Sequence, residues 1–250
     1  MPAYTANLSE LFVSFQGEGL HAGRRQLFVR FAGCPLRCRW CDTPESLVPV
    51  RECRIMDVDG GRVRSNPLTV EVLDAEVRAL LATSPPVHAI AVTGGEPLSQ
   101  SEFLMTWLGG RSDLPPVLLE TAGILPSRLE RVLPMVAIVS LDFKCPSNTG
   151  ERARWDEHEA CLRLAVAAGR DVYVKMPVDD ATAPEEVELG ARIAAAAGPA
   201  VPLFLTPLTA PEGTTLQIGA VTLERLHALA SRHHRDVRVL PQLHKVLGIP

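Results

Sequence analysis

The stretch QLFVRFAGCPLRCRWCDTP, residues 26–44, is an apolar run that ends in glycine and is followed at once by three cysteines, Cys34, Cys38 and Cys41. Its β-branched and aromatic residues make 26–33 an expected strand with both faces buried, so the thiols are delivered at a C-terminal strand end. The pattern repeats along the chain. Strands are expected at 89–95, 116–123, 137–144, 171–178, 202–208 and 236–243, and helical periodicity marks 69–82, 155–168, 184–197 and 222–232. Within 69–82, Val72, Leu73, Val77, Leu80 and Leu81 fall on one helical face. Apolar strands alternating with helices give a parallel α/β sheet covered by helices.

Whether that sheet stays open or curls follows from where the chemistry-bearing residues fall. Cys34 follows the first strand, Gly94-Gly95-Glu96-Pro97 ends the second, Glu120-Thr121 the third and Asp142-Phe143-Lys144 the fourth, all at C-terminal ends. A TIM-like partial (β/α)6 barrel gathers such ends into one mouth, whereas a doubly wound sheet binds at a single switch point. The partial barrel, with extra terminal strand, is therefore the expected fold, as one domain over 1–250. Residues 49–67 read as an insertion forming a flap or an edge hairpin, and 236–250 as a C-terminal cap. In that cap Val246, Leu247 and Ile249 are expected to anchor the tail and Gly248 to bend it.

Composition narrows the function. The chain has 250 residues, 46% hydrophobic and 22% charged, which suits a globular core rather than a disordered domain. A net charge of -4 without a basic stripe argues against a nucleic-acid binder and for a small-molecule substrate. No apolar run is long enough to span a membrane and the start lacks a signal-peptide pattern, so no membrane association and a cytoplasmic location are expected. A homodimer is the expected assembly on the base rate for closed symmetry.

Three thiols within eight residues are poorly spaced for disulfides and well spaced for a metal centre. Structural zinc is almost always four-coordinate and draws on paired clusters, and here only Cys53 stands as a possible fourth ligand. Three thiolates on a short loop suit a 4Fe-4S cluster in which one iron lacks a protein ligand. Cys145 and Cys161 are expected to be unligated.

The CxxxCxxC spacing with Trp40 before the last cysteine, and the GGEP segment at 94–97, resemble the radical S-adenosylmethionine enzymes. SELFVSFQGEG (9–19), FVRFAGCPLRCRWCDT, VTGGEP, LETAG, SLDFKCPSN and RVLPQLHKVLG together resemble the 7-carboxy-7-deazaguanine synthase family. That resemblance implies a 4Fe-4S cluster, S-adenosylmethionine and Mg2+ as cofactors, a flavodoxin or ferredoxin as reductant, and a pterin, 6-carboxy-5,6,7,8-tetrahydropterin, as substrate. It also implies that Thr93, Gly94, Gly95 and Glu96 meet the methionine amino group and that Thr43 gives magnesium an oxygen. Two features depart from the family pattern: the longer segment 49–67, and Leu203-Thr206-Pro207 where a Gln-Pro strand ending is usual.

Other residues carry two meanings at this stage. Gln16 and Glu18 either decorate a glycine turn or bind the pterin, whose amino and ring N–H groups need acceptors. Arg30, in an otherwise apolar strand, is either ion-paired or a fork for the substrate carboxylate, and the second is expected. Ser140, Asp142 and Lys144 alternate on one strand face, so one or two of them line the mouth against the cofactor. His244 is a substrate candidate, as is the terminal carboxylate of Pro250, which six residues carry back from the last strand. Another radical enzyme, a noncatalytic iron-sulfur carrier and a zinc-stabilised binding module stay as alternatives.

Overall fold

The computed structural model describes residues 4–57, 60–210 and 213–250. Two short strands, β1 (Thr5–Ala6) and β6 (Leu68–Thr69), pair with each other beside the main sheet. That main sheet holds β2 (Leu8–Phe15), β3 (Arg25–Phe31), β4 (Glu52–Asp57), β5 (Gly60–Ser65), β7 (Ala89–Gly94), β8 (Val117–Thr121), β9 (Ile138–Asp142), β10 (Asp171–Val178), β11 (Leu203–Pro207) and β12 (Val237–Val239). Its order is β12-β11-β10-β9-β8-β7-β3-β2-β4-β5. From β3 through β7 to β12 every neighbouring pair is parallel and follows chain order. A parallel sheet that never reverses its order has no switch point and keeps its crossover helices on one face.

The helices obey that rule. α1 (Val70–Thr83), α2 (Ser101–Leu108), α3 (Pro126–Val132), α5 (Trp155–Ala167), α6 (Pro184–Ala197) and α7 (Ala220–Ser231) pack in succession, α1 on α2, α2 on α3 and so on to α7. The short α4 (Pro146–Thr149) and α8 (Leu243–Leu247) lie outside this row, α4 after β9 and α8 after β12. The sheet and its helices thus form an arc of the (β/α)6 type with a seventh parallel strand. The main core fills the space between sheet and helices, from Leu27, Val29 and Phe31 on β3 to Leu203 and Leu205 on β11.

The opposite, concave face is built in two tiers. A lower tier of Phe12, Phe28, Ala89, Ala91, Leu118, Ile138, Tyr173 and Phe204 is apolar and closed, with Phe12 and Phe28 stacked at 4.9 Å. Two residues further along each strand, on the same face, the sequence turns polar: Arg30, Thr93, Glu120, Ser140, Lys175 and Thr206. Asp142, two residues beyond Ser140, sits opposite Lys175 in register. The C-terminal ends of the strands therefore hold a charged floor.

Several expectations change. Residues 8–15 form a strand antiparallel to β3, so the sheet is mixed at that edge. The edge hairpin expected within 49–67 is present, β4 pairing antiparallel with β5 and extending that edge. The expected strand 236–243 is only three residues long, because Pro241 has no N–H for a ladder and the chain then turns into α8. Val72 faces outward on α1, and Leu73, Val77 and Leu80 carry the packing with Val70. Val246 and Leu247 do not anchor the tail: they are 56% and 53% exposed.

Candidate active site

The C-terminal ends of β3, β7, β8, β9, β10 and β11 open on one cavity of about 340 Å³, which also takes in the cysteine loop and residues 249 and 250. Cys34, Cys38 and Cys41 are half-buried on its wall, whereas Cys53, Cys145 and Cys161 are buried elsewhere. Burial pushes the Cys34 thiol up to about 11 and raises Cys38 as well. Thiols of that kind become thiolates by binding metal and releasing protons. Three soft ligands on one short loop, beside open cavity rather than a fourth ligand, fit a 4Fe-4S cluster with one iron open to a small molecule.

The loop is clamped in place. Gly33 and Cys34 donate their N–H groups to the Ser46 and Leu47 carbonyls, and Glu96 N–H donates to the Gly33 carbonyl. Gly94 has φ +125°, and a Cβ there would come within 2.1 Å of the Phe31 carbonyl oxygen. At Gly95 a Cβ would lie 2.5 Å from the Gly33 carbonyl oxygen. The two glycines are thus demanded by backbone packing against the root of the cysteine loop, and both also line the cavity.

Glu96 differs from its expected role. It is fully buried and off the cavity wall; its carboxylate accepts from Leu98 N–H at 3.0 Å, Ala122 N–H at 2.8 Å and the Thr121 hydroxyl at 2.9 Å. Burial raises its pKa in spite of those donors. Ser140 is likewise buried and off the wall, beside Tyr173 in register. Thr93, Asp142 and Lys144 do line the cavity.

A network of charges crosses the floor. The Lys175 ammonium, only 3% exposed, lies 2.6 Å from Glu18 Oε2, 3.3 Å from Asp142 Oδ1 and 3.9 Å from Glu120 Oε2. Burial alone would raise the Glu18 carboxyl, but Lys175, with His244, outweighs it and draws the pKa down to about 2. Burial opposes the Lys175 charge, and Asp142 and Glu18 overcome it. Gln16 is spent internally, donating to Gln26 Oε1 at 3.0 Å and Glu120 Oε1 at 2.7 Å while accepting from Glu18 N–H. Its place is to hold Glu18 and Glu120 in position.

Arg30 lines the cavity and is ion-paired as well: its Nε donates to Glu10 Oε1 at 2.8 Å, and Glu10 also meets Arg54 of the hairpin at 3.2 Å. The C-terminal segment closes the other side. Leu243 N–H bonds to the Gly17 carbonyl, Gln242 donates to Glu18 Oε1 at 2.9 Å, and a Cβ on Gly17 would collide with His244 at 2.1 Å. His244, Ile249 and Pro250 all reach the cavity. Thr43 does too, its hydroxyl accepting from Ser46 at 3.1 Å. Next to it, ligand atoms of Glu18, Asp42 and His244 lie within 4.8 Å of one another, a spacing that can hold a cation.

Lys175 and Gln242 are the residues that sequence reasoning misses. Lys175 had a signal, a lone cation inside the apolar strand DVYVKMPV, whereas Gln242 acquires its place only through the fold.

Comparison with known proteins places this geometry. A profile described as the Radical SAM superfamily matches residues 28–189. The 7-carboxy-7-deazaguanine synthase of Geobacter sulfurreducens is 38% identical over 247 residues, covering 97% of each chain. The protein of the same name from Methanothermobacter thermautotrophicus is 31% identical, covering 98% of each. Among solved structures, QueE from Escherichia coli aligns over 96% of this chain and 95% of its own with a TM-score of 0.57 at 19% identity. A radical SAM methyltransferase from Sphaerobacter thermophilus aligns over 93% of this chain and 77% of its own with a TM-score of 0.60 at 16% identity, so these two bear on the fold alone.

Proposed function

The chain belongs to the radical SAM superfamily and, within it, to the 7-carboxy-7-deazaguanine synthase family, and from that premise we propose that it converts 6-carboxy-5,6,7,8-tetrahydropterin to 7-carboxy-7-deazaguanine with loss of ammonia. One observation carries the reading to this chain: the three thiols share a single cavity with an ionised acceptor, Glu18, and a guanidinium, Arg30. The cluster and S-adenosylmethionine, when bound, supply a deoxyadenosyl radical for hydrogen abstraction. The protein's own groups bind and orient. Glu18 accepts from the pterin amino and ring N–H groups, Arg30 meets the carboxylate, and Gln16 holds Glu18 in line. Thr93, Gly94, Gly95, Asp142 and Lys144 face the cofactor, while Glu96 acts from behind by fixing Ala122 and the strand-end turn. Anaerobic reconstitution followed by incubation with S-adenosylmethionine, reductant and the tetrahydropterin, read by mass, tests the whole reading; absence of the deazaguanine product rejects it.

Arg30 gives a sharper test. Arg30→Ala should reduce kcat/KM by roughly 10- to 150-fold, the loss of about 1.5–3 kcal/mol from a hydrogen bond to a charged group. A decarboxylated pterin should bind parent and variant equally, and a loss there would assign Arg30 to something other than the carboxylate.

Magnesium, with Thr43 as an oxygen ligand, fits a metal that takes few protein oxygens and retains water. Thr43→Ala should weaken magnesium stimulation with the cluster intact; a titration that overlays the parent's removes the assignment. The placing of Ile249 and Pro250 on the wall supports substrate contact by this segment. Replacing Ile249 and Pro250 by glycine should depress pterin turnover while uncoupled S-adenosylmethionine cleavage continues, and unchanged turnover would refute the contact. A flavodoxin or ferredoxin as electron donor and a homodimer complete the proposal. Reduction by purified donors and sedimentation respectively decide them. Among the described residues no helix is long and apolar enough to cross a membrane.

A further inference from the structure

We propose that Lys144 is a fixed cation that sets the reduction potential of the cluster held by Cys34, Cys38 and Cys41, independently of any contact it makes with S-adenosylmethionine. The inference rests on the cluster assignment above and concerns what this chain places beside it.

Lys144 is pinned at both ends. Its ammonium, on a side chain 12% exposed, lies 2.9 Å from Asp142 Oδ2 and 4.7 Å from the centre of the Trp40 ring. Trp40 stands between Cys38 and Cys41 in the chain, and it lines the same cavity as Lys144 and the three thiols. The loop cannot drift from it. Arg39 donates through Nε to the Asn148 carbonyl at 3.0 Å and through a terminal nitrogen to the Ser147 carbonyl at 2.7 Å; Trp40 Nε1 donates to Asn148 Oδ1 at 3.0 Å. These partners belong to α4, which begins two residues after Lys144.

The backbone of Lys144 is held separately. Its N–H donates to Nε2 of His158 at 3.1 Å, and Nδ1 of His158 lies 3.2 Å from the Gly123 carbonyl. An imidazole that accepts at Nε2 and donates at Nδ1 is neutral, and burial lowers His158 to about 4, which keeps it so. Phe143 stacks on the ring at 5.0 Å. Such investment in one ammonium exceeds what a mobile ligand contact needs.

The charge faces the thiols' cavity. Lys144 lines the same cavity as Cys34, Cys38 and Cys41, with its ammonium over the Trp40 ring that lines it too. A positive charge there favours an added electron. Reduction brings one electron from an external low-potential donor to the cluster, with no bond or proton changing at Lys144, so a cation nearby stabilises the reduced form. In a water-poor cavity that attraction is stronger than in bulk solvent, and iron–sulfur potentials follow local charge and burial. Asp142 partly offsets the cation, so the two residues pull the potential in opposite directions.

The test compares reconstituted parent, Lys144→Met, Lys144→Arg and Asp142→Asn, with iron and sulfide quantified, by redox titration followed by electron paramagnetic resonance without S-adenosylmethionine. Lys144→Met should lower the reduced-to-oxidised ratio about tenfold at a fixed potential, about 59 mV for a one-electron couple. Lys144→Arg should stay near the parent, and Asp142→Asn should shift upward. A Lys144→Met potential equal to the parent's overturns the proposal. So does a shift of Lys144→Met and Asp142→Asn in the same direction, which would report a loosened, wetter site. Should Lys144→Met fail to assemble a cluster, Asp142→Asn decides alone, an unmoved or lowered potential rejecting the idea. A parent without a reducible four-iron signal overturns the cluster assignment and the proposal together; a normal parent with unmoved variants overturns the proposal only.

Discussion

Cys38→Ala is expected to yield a protein without the cluster's visible absorbance and without any cleavage of S-adenosylmethionine, and Cys34→Ala and Cys41→Ala should do the same. The effect is total because three thiolates are already one short of the usual four, and a cluster left with two has lost its seat. Replacing Cys53, Cys145 or Cys161 should spare both signals. These three are buried away from the cavity, and burial raises their thiols, Cys53 and Cys161 to about 12, so they are inert packing groups. Iron content, absorbance and deoxyadenosine production on the six single variants check the division. An active cluster in Cys38→Ala would remove the basis of the site.

The second large effect is expected at Lys175. Lys175→Met strands Glu18 in a buried position, with Asp142 and Glu120 close by and the shared ammonium gone. Removing one partner of a buried pair costs about 3–5 kcal/mol. The pH dependence identifies the cause. In the parent, Glu18 has a folded pKa of about 2, below its ordinary 4.5, so its contribution is present above the ordinary value and lost as pH falls through 2. In the variant burial dominates and the carboxyl moves above its ordinary value, so its ionisation then opposes folding as pH rises. The deficit is therefore full at neutral pH and shrinks as pH falls through the carboxylate range. Anaerobic denaturant unfolding at pH 7 and pH 4, with Lys175→Met and Lys175→Met/Glu18→Gln, measures this. A deficit that is equal at both pH values and unrelieved by Glu18→Gln would place the loss in packing rather than charge.

The parts legible in the sequence are those whose information is contiguous. The strand 171–178 and the helix 184–197 appear with the expected bounds because their apolar patterns are strong enough to be read locally, the strand in spite of Lys175. The cysteine loop is legible for the same reason, since ligand spacing is a local property. Strand β2 did not declare itself: its buried residues Leu8, Ser9, Glu10, Leu11 and Phe12 are consecutive, so no period-2 alternation marks it. The charged floor is a property of register. Glu18 and Lys175 are 157 residues apart and meet because β10 sets Lys175 on the cavity floor while Leu243 and Gln242 pin the turn after β2. Sequence spacing carries no trace of that meeting. Glu96 shows the converse, a conspicuous motif residue whose carboxylate is turned inward to brace the turn after β8.

The hairpin β4–β5 bears on how the molecule keeps to itself. Without it β2, LSELFVSF, would be the rim of a long sheet, with unpaired amides that another chain's strand could take as a template. The hairpin covers that rim and offers in its place β5, GGRVRS, in which Arg62 and Arg64 are tethered to Glu76 at 2.6 Å each. Glycines and arginines make a poor seed for strand addition, and at the far rim β12 is only three residues long. A chain shortened across 49–67 would expose an apolar ribbon, and its failure would be seen first as fibrous or amorphous aggregation in the test tube.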